Sequence, residues 1–197
     1  MKSREQILQA VKRNKPAFSP LPEIPFFESP LEDLASIFAK TLTKIGGEAF
    51  FTTSQQEAFQ LLRQWTTDYP NVVSTVSWAM LGNIKISNIE QPHQLEQLDL
   101  AILEGQLGVA ENAAIWITEE DAFHRAVPFI AQHLILVLHR HKIVWNMHEA
   151  YSKILINSTG YGVFIAGPSK TADIEQSLVV GAHGPRSLRV LIYESSS

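Results

Sequence analysis

The chain contains no cysteine. That removes disulfides, thiol nucleophiles, zinc–thiolate sites and cysteine-ligated iron–sulfur clusters from this polypeptide. It also fits a reducing compartment, so the expected location is the cytoplasm. A surplus of basic charge is missing too: 16 Lys and Arg stand against 20 Asp and Glu, giving a net charge of −4 and a pI near 6.0. Without a basic field to hold a phosphate backbone, a nucleic-acid partner is not expected. Long apolar runs are absent as well. LILVL at Leu134–Leu138 falls far short of the ~20 residues that a membrane-spanning helix needs. The opening MKSREQILQAVKRNKP mixes charge among its apolar residues and is not expected to act as a secretory signal.

What is present suits a globular protein. Of 197 residues, 45% are hydrophobic and 18% charged, enough to bury a core without staples. Ile7, Leu8 and Val11 fall at helical spacing and predict a helix over residues 3–14. Five prolines between Pro16 and Pro30 then exclude regular structure. Residues 1–29 are therefore a helix plus a proline-rich arm, pinned by Phe18, Phe26 and Phe27 to this subunit or to a second copy. Residues 30–197 form the main domain. A helix is expected from Ser29-Pro30, burying Leu31, Leu34, Ile37, Phe38, Leu42 and Ile45 and ending at Gly46-Gly47. Strands are expected at Glu48–Thr52, Asn71–Ser74, Leu98–Leu103, Ala113–Thr118, Leu134–Leu138, Gly162–Ala166 and Leu188–Tyr193. Helices are expected at Ser54–Trp65, Asn146–Asn157 and Asp173–Val179. Continuous Val/Ile/Leu strands separated by helices indicate an α/β fold with a mainly parallel sheet covered on both faces.

The densest polar chemistry is late, in GPSKTADIEQSLVVGAHGP from Gly167 to Pro185. Read locally, GVFIA is a strand, GPSKT a tight loop, and DIEQSLVV a helix opened by an Asp173/Gln176 capping box. Free amides at a strand–loop–helix junction, a mobile Lys170 and a helix N-terminus suit a small anion. Gly167, Ser169, Lys170, Thr171 and Asp173 are the candidate ligand residues. A well-capped helix with a solvated lysine is the alternative. The loop is neither a Walker P-loop nor a G-x-G-x-x-G fingerprint. In GAHGP, two glycines shape a turn around His183, which acts either as a proton shuttle or as a plain turn residue. Arg125 could grip a carboxylate with both arms, or form an exposed ion pair. His139, His141 and His148-Glu149 lack the H-E-x-x-H spacing and read as loop and helix-surface residues, so no metal site is expected.

These motifs, followed by LRVLIY and preceded by GVAENAAIWITEEDAFHRAVPFIAQHLILVL and IVWNMHEAY, resemble the LUD-domain family, in its lactate-utilisation protein C (YkgG-like) group. The layout matches over residues 30–193. One departure is Ala113, where many relatives carry glycine. The resemblance implies a three-layer α/β/α sandwich similar to sugar-phosphate isomerases and CoA transferases. It also implies a part in oxidising L-lactate to pyruvate, beside a partner oxidoreductase subunit that carries the iron–sulfur clusters. No cofactor is then expected within this chain. In that fold, the loop holding Glu111 and Asn112 commonly carries a catalytic acid or nucleophile, which makes Glu111 a candidate acid/base residue and Asn112 its hydrogen-bonding neighbour; a polar surface turn is the alternative. The other roles left open are a stand-alone isomerase or transferase acting on a sugar phosphate or CoA ester, and a non-catalytic scaffold.

Overall fold

Runs of Val, Ile and Leu become the centre of the protein. The computed structural model describes residues 3–86, 89, 91–154, 160–174, 177–181 and 183–194. Five strands form an all-parallel sheet: β1 (Glu48–Thr52), β2 (Val72–Ser74), β3 (Leu100–Glu104), β6 (His133–His139) and β11 (Ser187–Tyr193), in the order β1-β11-β6-β3-β2. Between β3 and β6 in sequence come β4 (Leu107–Val109) and β5 (Ala114–Thr118). With β7 (Ile143–Val144) and β8 (Gly162–Ile165) they make a second, mixed sheet in the order β7-β4-β5-β8. Sequence periodicity did not reveal β4 or β7, because strands of three and two residues carry too little pattern.

Alternation along the parallel strands sorts side chains onto two buried faces. On one face Leu100, Ile102, Ile135, Val137 and Leu191 pack under helix α3 (Gln55–Thr66), through Ala58 and Leu62. On the other face Ala101, Leu103, Leu134, Leu136, Leu138, Val190 and Ile192 meet α2 (Leu34–Lys44), through Phe38 and Leu42, and the second sheet, through Ile115 and Ile117. The fold is thus α/β with a mainly parallel sheet covered on both faces. Two short helices, α4 (Glu119–Ala122) and α5 (Val127–Ile130), link β5 to β6. Helix α6 (Met147–Lys153) covers the outer side of the second sheet, where Ala150 packs with Val109, Ala114 and Val144.

Several local expectations are corrected. Helix α2 begins at Leu34 rather than at Pro30, because Asp33 is its N-cap and accepts the Ser36 amide at 3.0 Å. Leu31 therefore lies outside the helix, and it is fully exposed. The predicted helix at Asp173–Val179 is instead a hairpin of β9 (Lys170–Ile174) and β10 (Ser177–Val180), paired antiparallel with Lys170 opposite Val180. The β-branched residues Thr171, Ile174, Val179 and Val180 favour strands, and they outweigh the local capping signal. Gln176, half of that expected box, lies outside the described residues. At the N-terminus, α1 (Ser3–Arg13) forms as predicted, but residues 3–29 are exposed throughout. Among the described residues, only Phe27 of the three arm phenylalanines makes a ring contact, stacking on His148 at 5.2 Å; Phe18 and Phe26 are exposed. Ala113 adopts φ +56°, the backbone region that glycine enters freely and alanine only at a cost.

Candidate functional site

The late signature folds back on itself at one edge of the parallel sheet. Gly46-Gly47 leads into β1, Pro185-Arg186 into β11 and Gln132 into β6, so this is the edge where strands begin. The Ser169 amide donates to the Pro185 carbonyl at 2.8 Å, and the Gly181 amide donates to the Ser169 carbonyl at 3.0 Å. The Arg186 amide donates to the Gln132 carbonyl at 2.8 Å. GPSKT and GAHGP are therefore adjoining turns. Gly167 sits at φ +74°, with the Ile45 carbonyl 3.0 Å from where a Cβ would be; only glycine meets both demands without strain. Lys170 Nζ donates to that same Ile45 carbonyl, the C-cap residue of α2, where a cation suits the exposed carbonyls and the helix dipole. Thr171 and Asp173 lie in β9, and His183 is exposed in its turn. No helix N-terminus follows the GPSKT loop, so that source of positive charge is absent.

Glu111 and Asn112 form the turn between β4 and β5. Ile115 pairs with Ile165 across antiparallel β5 and β8, which puts this turn at the same end of the second sheet as Gly167. Their contacts are nevertheless local. Glu111 Oε1 accepts the Met147 amide at 3.1 Å, and the Glu111 amide donates to the Trp145 carbonyl at 3.0 Å, holding the start of α6 beside its N-cap Asn146. Asn112 Oδ1 accepts the Ala114 amide at 3.0 Å. Among the described residues no hydrogen bond or ion pair joins Glu111 to Lys170 or His183. Arg125 lies at the opposite end of the second sheet. It grips Glu119 with both arms at 2.8 Å and rests over the Tyr161 ring at 5.0 Å. The paired guanidinium draws the Glu119 carboxyl below its ordinary range, and the carboxylate raises Arg125 in turn.

The opposite edge, where the parallel strands end, is the one at which open α/β sheets receive ligands. Strand parity puts Thr52, Tyr193, His139, Glu104 and Ser74 all on the α3 side of the sheet. Thr52 pairs with Tyr193 and Tyr193 with His139, while Glu104 is level with Val137 and Ser74 with Ile102. Trp78, from the loop after β2, packs against Tyr193 at 5.3 Å, and His139 meets the Tyr193 ring edge-on at 5.0 Å. Burial, with Glu104 adding to it, pushes the Tyr193 phenol up and keeps it a proton donor. Burial, then the nearby His141 and Lys142, holds His139 below the usual histidine range and favours its neutral form. Thr52 Oγ1 is buried without a partner among the described residues, as is Thr75 Oγ1 after β2 at the other side of the sheet. The Trp78 indole N–H faces the Tyr193 hydroxyl without closing a well-formed hydrogen bond. A neutral imidazole and a protonated phenol side by side, with Glu104 two residues back along the next strand, can move protons and orient a hydroxyl-bearing ligand. Sequence reading noted His139 only as a loop residue. What it lacked was strand order, which brings residues from β1, β2, β3, β6 and β11 together. Among the described residues, no group of three or more His, Cys, Asp or Glu is placed to hold a metal ion, and no helix is long and apolar enough to cross a membrane.

Comparison with known proteins gives this arrangement a family context. The LUD domain model matches residues 85–193. A lactate utilization protein C from Geobacillus sp. (strain WCH70) is 26% identical over 96% of this chain and 79% of its own length. The one from Bacillus subtilis (strain 168) is 29% identical over 66% of this chain and 55% of its own. The one from Shouchella clausii (strain KSM-K16) is 33% identical over 47% of this chain, and the match spans only 42% of that relative. A crystal structure of a DUF162 family protein from Deinococcus radiodurans superposes with a TM-score of 0.65 at 16% identity, covering 83% of this chain and 99% of that one. At that identity the likeness speaks for the fold.

Proposed function

This chain belongs to the LUD-domain family, and from that premise we propose that it serves in L-lactate utilisation, as a subunit of an assembly that oxidises L-lactate to pyruvate. The observation that carries this reading is the near full-length match to a relative named for that process. The reaction removes two electrons and two protons from the substrate. Lacking cysteine, the chain offers no thiolates to an iron–sulfur cluster, so the electrons leave through a partner subunit that carries the clusters. The chemistry left to this chain is binding and proton handling. The strand-ending edge suits it: His139 Nδ1, which accepts the His141 amide at 3.2 Å, exchanges that amide for the proton of a substrate hydroxyl, while Tyr193 and Thr52 hold the substrate oxygen. Deleting the chain from its host and measuring growth on L-lactate as sole carbon source tests the role. Growth is expected to stop and to return with the wild-type chain; undiminished growth overturns the reading.

A second reading keeps a small anion at the GPSKT loop. It is favoured by the adjoining turns that bring Ser169, Lys170 and exposed His183 into one neighbourhood. It requires Lys170 to exchange the Ile45 carbonyl for the ligand. Loss of lactate growth in Lys170→Ala, with folding intact, supports this second reading over the first.

A further inference from the structure

The loop after β2 was not assigned a role from sequence, yet it frames a cavity of about 440 Å³ at the strand-ending edge. Its walls are apolar: Met80, Ile84, Ile86 and Phe123. Ser74 and Thr75 line its inner side, and Lys85 supplies a cation. The loop is held tightly against the outer side of β2. Asn83 Oδ1 accepts the Val72 amide at 2.8 Å, and the Asn83 and Ile84 amides both donate to the Val72 carbonyl. Gly82 permits this approach, since a Cβ there would lie 2.7 Å from the Ser74 nitrogen and 2.8 Å from the Val72 carbonyl oxygen. The cavity therefore has a fixed wall rather than a loose one.

Three features of it suit a ligand. Phe123 ends α4 as a left-handed cap at φ +57°, where glycine would be unstrained and a bulky residue is not, and the residue is 63% exposed. Thr75 Oγ1 is buried without a hydrogen-bond partner among the described residues, which destabilises the fold. Lys85 is exposed and forms no hydrogen bond or ion pair among the described residues. A strained aromatic ring, an orphaned hydroxyl and a lone cation around an apolar space meet the requirements of one kind of molecule. Its volume lies within the roughly 300–1,000 Å³ of ligand pockets and exceeds what a three-carbon acid fills.

We propose that this cavity binds a carboxylate with a medium-length apolar body: the carboxylate lies between Lys85 and the Thr75 hydroxyl, and the chain lies against Phe123, Met80 and Ile84. The site is independent of the lactate role, because it is argued from the cavity alone. Titration calorimetry on the full chain with octanoate, 1-octanol and L-lactate tests it. Octanoate is expected to bind at least about tenfold more tightly than L-lactate, a difference of about 1.4 kcal/mol. Lys85→Met weakens octanoate severalfold and leaves 1-octanol unchanged. Thr75→Val raises the melting temperature, since an orphaned hydroxyl is removed, and lowers octanoate affinity. Phe123→Gly relieves the strained backbone and removes the ring, so stability rises while both chains bind less well. The proposal is overturned if octanoate binds no better than L-lactate, if Lys85→Met leaves octanoate affinity unchanged, or if Thr75→Val and Phe123→Gly move stability alone. Lost lactate growth in the deletion strain has no bearing on these outcomes, and failed octanoate binding leaves the lactate role standing.

Discussion

At the edge where the parallel strands begin, polar groups are paired with one another. Lys170 holds the Ile45 carbonyl, the Ser169 amide holds Pro185, the Arg186 amide holds Gln132, and His133 Nδ1 lies 2.7 Å from Ser187 Oγ. At the edge where the strands end, Thr52, Thr75 and Trp78 keep buried polar atoms without a well-formed partner, and these are the three such side-chain atoms among the described residues. The same edge carries the shifted Tyr193 and His139 and the cavity beside Ser74. A satisfied polar group stabilises a fold by about 1 kcal/mol, whereas an orphaned buried one costs about 1–3 kcal/mol. Among the described residues that cost falls on the strand-ending edge alone, which is the contrast the proposed ligand role rests on.

The contrast can be broken by substitutions that separate activity from stability. The largest effect is expected at the strand-ending edge. His139→Gln and Tyr193→Phe should each lower lactate oxidation by the assembled system about 100-fold or more, the scale of lost acid–base catalysis, with melting temperatures close to wild type. Retained activity in both would remove the proton-handling role. Next in size is Gly167→Val at the strand-beginning edge. A β-branched residue at φ +74° against the Ile45 carbonyl should lose about 2–3 kcal/mol in urea unfolding; a smaller loss would mean that the turn yields easily. Lys170→Ala should lose about 1 kcal/mol, one exposed charge-assisted hydrogen bond, and leave lactate growth intact at moderate temperature.

Thr52→Val sharpens the comparison from the other side. It removes an orphaned hydroxyl, so unfolding free energy should rise by about 1 kcal/mol while lactate oxidation falls. Destabilisation instead would show that Thr52 Oγ1 does find a partner. The smallest effect is the pH dependence. His133 and His139 are both held below the ordinary histidine value of 6.5 by burial. Below pH 6.5 the unfolded chain therefore binds more protons than the folded one, and stability falls as pH drops toward the folded values. Melting scans from pH 7 to 5 should show this decline, and His139→Gln should make it shallower.

Much of the fold was legible because buried parallel strands announce themselves: LAILE, HLILVLH and SLRVLIY are each apolar enough to be buried on both faces. The β9–β10 hairpin was not, since Asp173 and Gln176 imitate a helix start over four residues, while the β-branched Thr171, Ile174, Val179 and Val180 pair as adjacent strands. Local chemistry drew attention to Lys170 and His183, and the resemblance to Glu111. The partners of Lys170 and Glu111 (Ile45, Met147) come from other parts of the chain, and no local spacing reveals that these two side chains are already engaged. The strand-ending row was hidden for the same reason: Thr52, Glu104, His139 and Tyr193 become neighbours only once the order β1-β11-β6-β3-β2 is known. Phe123 and Ala113, both left-handed, have side chains that give no hint of a positive φ.

The most direct test sets the two edges against each other in one experiment. The deletion strain is complemented with Lys170→Ala or with His139→Gln at matched protein levels, and growth on L-lactate is measured. The account predicts growth with Lys170→Ala and none with His139→Gln; growth with His139→Gln and none with Lys170→Ala would contradict it and return the chemistry to the GPSKT loop.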